Sequence, residues 1–288
     1  MRIPDAADPA AATRLVVKHE AIHGRARLLR GLLLFAVAVA EAVIAAETVV
    51  DIPSRAGVTQ RMLYLSPAEN ARAGAVLVAG GHGGLKIFPN GSIGWGDRGF
   101  LVRTRALFAD RGVAVVVVDA PSDRGSGLSG FRDTAEHAAD IGAAIAWLRE
   151  RTGGPVWLIG HSRGTESAAS VVARLGAAPR GPDGLVMAAP ILSESRFVTG
   201  KPVTHYALDQ LRVPTLVVHH ESDGCSVTPP RELPSLAARL PASLPRKAIV
   251  NLSGGNPTGS GCDHESHHGF GGQDVAAVDA IVHFMFQP

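Results

Sequence analysis

Three observations predict an α/β fold built on a mostly parallel sheet with helices on both faces. Residues 74–78, 113–119 and 155–159 are short apolar runs without polar alternation, the pattern of strands buried on both faces. Between such runs the apolar residues recur at helical spacing, most clearly over 134–151 at Ala138, Ile141, Ala144, Ile145 and Leu148. Strand and helix signals alternate along the chain, as they do where crossover helices join parallel strands.

In chain order, residues 48–52 and 60–65 read as two strands around a turn at 54–57. The strand at 74–78 leads through a glycine-rich loop to a helix over 100–110, which ends before Gly112. The strand at 113–119, the helix at 134–151 and the strand at 155–159 follow, then a helix over 165–175. Three further strands are expected at 184–191, 215–219 and 247–252, with helices at 232–240 and 275–286. Between Ile191 and Val213 there is room only for a short helix around 203–211. No internal repeat or low-complexity tract interrupts 47–288, which reads as one domain after an extension over 1–46.

With 46% hydrophobic residues in 288, the chain can fill a large core. A formal net charge of +2 gives no support for a nucleic-acid partner. Two cysteines, Cys225 and Cys262, are too few for a cysteine-rich zinc module. In the extension, Arg25, Arg27 and Arg30 precede an apolar run over 31–40 that ends in Ala38-Val39-Ala40, with Ala45-Ala46 as a second small-residue site. Basic, apolar, then small is the order of a secretory signal. A membrane anchor needs roughly 20 apolar residues, and Glu41 interrupts the run earlier. The chain is therefore expected to be exported, periplasmic or secreted, with no membrane span after signal removal.

The chemistry is carried by Gly160-His161-Ser162-Arg163-Gly164, a G-x-S-x-G motif between a predicted strand and a predicted helix. A serine on that sharp turn has its hydroxyl held clear of the backbone, at the positive end of the new helix. A hydroxyl is a poor nucleophile at neutral pH and needs a base, an acid to orient the base, and donors for the developing oxyanion. Asp223, just past the 215–219 strand, is the expected acid, with Glu221 as the fallback. The base comes from the loop Cys262-Asp263-His264-Glu265-Ser266-His267-His268, where the chemistry leaves His264, His267 and His268 open. The same loop holds five potential metal ligands, but crowded and without the spacing of a known zinc motif, so no metal and no cofactor is expected. Ala79-Gly80-Gly81-His82-Gly83-Gly84 follows a strand directly and lacks the Gly-Lys-Ser/Thr of a phosphate loop. The oxyanion donors are expected from the backbone N–H groups of Gly83, Gly84 and Arg163.

The order glycine-rich loop, Ser162, Asp223, histidine is that of the α/β-hydrolases. On these motifs, together with His268-Gly269-Phe270 ahead of the last helix, residues from about 48 to 287 resemble a lidless, esterase-like or dienelactone-hydrolase-like α/β-hydrolase. The dienelactone hydrolases proper commonly carry a cysteine nucleophile where this chain has Ser162. The resemblance favours His268 as the base. It implies a twisted, mostly parallel eight-stranded sheet with an antiparallel strand near the start and a minimal lid or none. It implies a serine hydrolase cleaving a small-molecule carboxylic ester through a Ser162–His268–Asp223 triad and an acyl-enzyme. Thioesterases and peptidases share that machinery. A non-catalytic binding protein on the same fold would lack one of the parts, and all are present. If Asp223 and His268 meet, their loops are neighbours, and Cys225 and Cys262 come within reach of a disulfide. Leu85, Ile87, Phe88, Trp95 and Phe197 are available to line the cleft.

Overall fold

The computed structural model describes residues 47–195 and 200–287. The expected signal segment and Phe197 lie outside the described residues.

A hairpin opens the fold, β1 (Glu47–Arg55) and β2 (Val58–Leu65), turned at Gly57 with φ 71°. The remaining strands are β3 (Ala73–Val78), β4 (Val113–Val118), β5 (Val156–His161), β6 (Gly184–Ala188), β7 (Thr215–His220) and β8 (Lys247–Leu252). They form one eight-stranded sheet in the order β1-β2-β4-β3-β5-β6-β7-β8. β2 is antiparallel to both its neighbours, and β3 to β8 are parallel.

Every residue of β3, β4, β5, β6 and β7 is buried, which is why these strands read as mostly apolar runs, with polar residues only at the ends of β5 and β7. Alternate side chains feed opposite cores, since successive strand residues face opposite sides. On one face Val76, Val116 and Leu158 pack under α3 (Ala135–Thr152), α4 (Gly164–Leu175) and α5 (Leu233–Arg239). On the other, Leu77, Val117 and Ile159 pack under α1 (Phe100–Arg103), α2 (Arg105–Ala109) and α6 (Asp274–Phe286). α3 starts where Thr134 Oγ1 accepts the His137 N–H at 3.1 Å and stops at Gly153 with φ 61°.

Three expectations are corrected. The 100–110 helix is broken at Thr104, whose hydroxyl bonds back to the Phe100 carbonyl at 2.7 Å and whose backbone leaves helical geometry at φ −93°, ψ 1°. The 184–191 strand stops at Ala188, because Ala189 turns left-handed at φ 44°. The short helix at 203–211 is two single 3₁₀ turns, Val203–His205 and Leu208–Gln210. Among the described residues these turns are the only helical structure between β6 and β7, and no helix is long and apolar enough to cross a membrane. The loops after β3, β5, β7 and β8 leave the sheet at its C-terminal edge, where open parallel sheets form their sites.

Candidate active site

β5 runs into α4 through Ser162, a non-glycine residue held left-handed at φ 53°. That conformation is costly for an L-residue and persists because its surroundings fix it. Ser162 N–H donates to the Ala188 carbonyl at 3.0 Å, and the Ser162 carbonyl accepts from Thr165 N–H at 2.9 Å and Thr165 Oγ1 at 2.6 Å. The flanking glycines are steric necessities. A Cβ on Gly160 would lie 2.3 Å from the Gly164 carbonyl oxygen, and one on Gly164 would lie 2.0 Å from that of Val78.

β7 delivers Asp223 from the loop just beyond its end. Its Oδ1 accepts the Cys225 N–H at 2.8 Å, and its Oδ2 accepts the Thr228 hydroxyl at 2.8 Å and His268 Nδ1–H at 3.0 Å. Burial pushes the Asp223 carboxyl up, but the hydrogen bond and charge of His268, with the Cys225 and Thr228 donors, outweigh it and hold the group below its ordinary value. With Nδ1–H committed to Asp223, the neutral imidazole keeps Nε2 as its acceptor.

His268 sits in a 3₁₀ turn, His267–Gly269, where Ser266 Oγ accepts its N–H at 3.1 Å. From below, His161 Nε2–H donates to the His268 carbonyl at 3.0 Å. Burial drives the His161 imidazole down to about 3, so it is neutral and serves as a fixed donor. Of the other two candidate histidines, His267 stacks on His220 with centroids 4.3 Å apart, while His264 lines the same cavity as Ser162 and His268, its ring 6.0 Å from that of Trp95, and has no hydrogen bond to Asp223. Asp263 caps the Ser260 N–H and Glu265 pairs with Arg98, so the five potential ligands of this loop face different partners.

Cys225 and Cys262 form the expected disulfide, with their Cα atoms 4.4 Å apart. Both line the cavity that also holds Ser162, His268 and Arg163, a space of about 240 Å³. Trp95 forms part of its wall, whereas Leu85 and Ile87 are core residues and Phe88 is exposed.

In the glycine-rich loop, Gly83 and Gly84 lie outside the lining of the cavity that holds Ser162. Gly84 N–H donates to His82 Nδ1 at 3.1 Å, and the next three N–H groups, of Leu85, Lys86 and Ile87, converge on the Asp119 carboxylate at 2.6, 3.2 and 2.8 Å. Gly83 lies against Arg132 and Leu128. Asp119, just past the end of β4, thus holds the second half of the loop away from Ser162. The first half makes the approach: a Cβ on Gly80 would lie 2.8 Å from Ser162 Cβ and 3.4 Å from its Oγ, and Gly80 and Gly81 line the cavity. Arg163 follows the serine as the N-cap of α4, so its N–H is among the first-turn donors that a helix leaves without an internal partner. Its side chain is turned inward, only 8% exposed, in the field of Glu166.

Sequence reasoning missed Asp119, Arg132, His161 and His219. His161 was within view, as a polar residue on the last position of a strand otherwise apolar. His219 is fully buried, accepts the His220 N–H on Nδ1 at 2.9 Å, and points Nε2 at Asp223 Oδ2 from 3.8 Å. Nothing local distinguishes Arg132 from the other arginines.

No family model matches the chain, and no curated protein does. Solved structures do match. A lidless α/β serine hydrolase from Xanthomonas campestris aligns at 16% identity and TM-score 0.52, over 83% of this chain and 95% of its own. An esterase from Pyrococcus furiosus aligns at 11% identity and TM-score 0.58, over 84% and 92%. A cold-adapted esterase from an Arctic intertidal metagenomic library aligns at 17% identity and TM-score 0.54, over 84% and 95%. At such identities the likeness is one of fold: the chain has the α/β-hydrolase fold.

Proposed function

We propose that the protein is a serine hydrolase that cleaves a small carboxylic ester. The observation that carries this reading is the His268–Asp223 hydrogen bond at 3.0 Å, formed at a cavity that also contains a left-handed Ser162. The structural neighbours, a serine hydrolase and two esterases, support it.

In this mechanism Ser162 Oγ attacks the ester carbonyl and His268 Nε2 takes its proton, while Asp223 holds the imidazolium that forms. The negative charge on the carbonyl oxygen meets the backbone N–H groups of Gly81 and Arg163. Collapse expels the alcohol, protonated by His268, and leaves an acyl-Ser162. Water then attacks with His268 again as base, and the acid leaves. A cavity of about 240 Å³ is below the roughly 300–1,000 Å³ of drug-sized pockets, so short acyl and alcohol groups suit it better than long chains.

A fluorophosphonate probe tests the chemistry. The expected result is a single adduct on the peptide carrying Ser162, and loss of ester turnover in Ser162→Ala with folding retained. Near-wild-type turnover by that variant would sink the mechanism. Matched oxygen ester, thioester and amide substrates then rank the possible leaving groups. We also propose export, supported by the Cys225–Cys262 bond, since disulfides persist in oxidising compartments, and by the basic–apolar–small order of 25–40. N-terminal sequencing of protein from the periplasm or medium is expected to begin near Glu41 or Glu47. An intact N-terminus on cytoplasmic protein would overturn this.

A further inference from the structure

Arg132 is a buried cation that the proposed chemistry does not use. It lies in the loop between β4 and α3 and is 1% exposed. Its hydrogen bonds all go to neutral oxygens: Nη1 donates to Ser167 Oγ at 2.8 Å, and Nη2 to the carbonyls of Ala79, Gly80 and Gly81 at 3.1, 3.4 and 3.2 Å. Burial pulls its pKa down to about 9, which still leaves it charged at neutral pH. Glu166 acts on it only through its field; keeping a guanidinium in an interior with no carboxylate hydrogen-bonded to it is expensive, and a glycine loop that needed only to turn would not require it.

The consequence follows from peptide geometry. Each carbonyl shares a rigid plane with the N–H of the next residue and points the opposite way. Three carbonyls drawn inward to one guanidinium commit the N–H groups of Gly80, Gly81 and His82 to the other side of the loop. That side carries the close approach of Gly80 to Ser162. A cation behind the peptides also polarises them, so their N–H ends become better donors as negative charge develops in front. Ser167 belongs to α4, the helix that starts at the nucleophile, so Arg132 bridges the loop and the elbow in one side chain.

We propose that Arg132 is the positioning residue of the oxyanion hole, orienting the peptide planes of residues 79–82 toward the carbonyl oxygen of a substrate on Ser162. This rests on the serine-hydrolase reading, and the test separates the two. Wild-type protein is first titrated with the fluorophosphonate and assayed with p-nitrophenyl acetate; absence of labelling at Ser162 refutes the parent reading before Arg132 is touched. Arg132→Met and Arg132→Lys are then compared per titrated serine. Losing a whole oxyanion donor lowers kcat about 10²–10³-fold, so misaiming the loop is expected to lower it about 10–100-fold in Arg132→Met with KM nearly unchanged. Arg132→Lys should recover part of the loss, since it keeps the charge without the fork.

The decisive readout is a trifluoromethyl ketone. Ser162 Oγ adds to its carbonyl, the serine proton passes to His268, and the resulting hemiketal oxyanion occupies the hole. Its affinity should fall in parallel with kcat/KM across the variants, while the product carboxylic acid binds as before. A purely structural arginine would lower the melting temperature and the titratable fraction but leave both quantities per active serine intact. That result in folded variants overturns the proposal. If neither Arg132 variant folds, Ser167→Ala decides: freeing Nη1 should lower kcat and ketone affinity together several-fold, and wild-type values for both would overturn the proposal.

Discussion

Replacing both Cys225 and Cys262 by alanine should weaken the fold and damage catalysis by separable amounts. The disulfide closes a loop with a sequence separation of 37. Chain entropy for a loop of that size corresponds to about 4 kcal/mol at 25 °C. In a domain of this length 1 kcal/mol moves the melting midpoint roughly 2–4 °C, so the variant should melt about 8–16 °C lower. Alanine is the right replacement, because Cys225 packs with Ile191 and Val227 and a serine hydroxyl there would be buried. The catalytic effect has a different origin. The bond ties the loop carrying Asp223 to the loop carrying His268. Without it, their spacing rests on the 3.0 Å Asp223–His268 hydrogen bond, the 3.1 Å contact of Thr228 Oγ1 with His268 Nδ1 and the His220–His267 stack. Small misplacements in an active site cost up to about 10²-fold, and a loss of about 10-fold in kcat is expected, with KM little changed. Circular-dichroism melts and turnover per titrated serine, measured well below both midpoints, give the two numbers independently. A lower midpoint with unaltered kcat would refute the pinning of the two loops. An unaltered midpoint would refute the loop-entropy argument as well.

Gly80→Ala should fold but turn over at least about 10-fold more slowly, because the new methyl would press Ser162 Cβ from 2.8 Å; steady-state kinetics with wild-type rates would contradict the close approach. His161→Phe keeps the packing but removes the donor to the His268 carbonyl, a change worth about 1–3 kcal/mol; denaturant titration should show that loss together with reduced kcat. Acid should destabilise the protein early. His137 and His161 are pushed down to about 3 by burial, while in the unfolded chain they protonate near the ordinary value of about 6.5. Their folded pKa lies below the unfolded one, so the unfolded state binds more protons and stability falls as pH drops from about 6.5 toward 3. Two such groups give a slope of roughly 2.7 kcal/mol per pH unit within that window. Urea titrations at pH 7, 6 and 5 measure it, and a flat profile would mean that these imidazoles are not buried neutral.

What was legible in the chain follows from how locally each feature is encoded. Strands β3 to β7 announce themselves because burial on both faces leaves them nearly all apolar, with polar residues only at the ends of β5 and β7. The elbow is legible because Gly160 and Gly164 are demanded by contacts within a few residues and by strand β3 alongside. The choice among His264, His267 and His268 needed a family pattern, since all three share one short loop and only the fold decides which meets Asp223. The disulfide was legible only through that pairing. Which half of the glycine-rich loop approaches Ser162 was not legible, because four glycines flank His82 symmetrically and what breaks the symmetry lies elsewhere. Asp119 holds the N–H groups of Leu85, Lys86 and Ile87, and Arg132 holds the carbonyls of residues 79–81. The break at Thr104 was missed for a simpler reason: apolar spacing continues through it, while a single hydroxyl competes for the backbone.

The elbow glycines have a consequence for what the scaffold tolerates. Gly164 rests directly against the Val78 carbonyl and Gly160 against that of Gly164, with no side chain between. The height of the nucleophile above the loop after β3 is therefore gauged by main-chain atoms, whose dimensions do not vary with sequence. Leu77, Ile159 and Val186, packed under the other face of the sheet, can be exchanged for other apolar residues without resetting that gauge. Substitutions there should erode folding free energy before they alter the reaction geometry. The two layers of helices are thus free to drift in sequence around a catalytic spacing written in backbone.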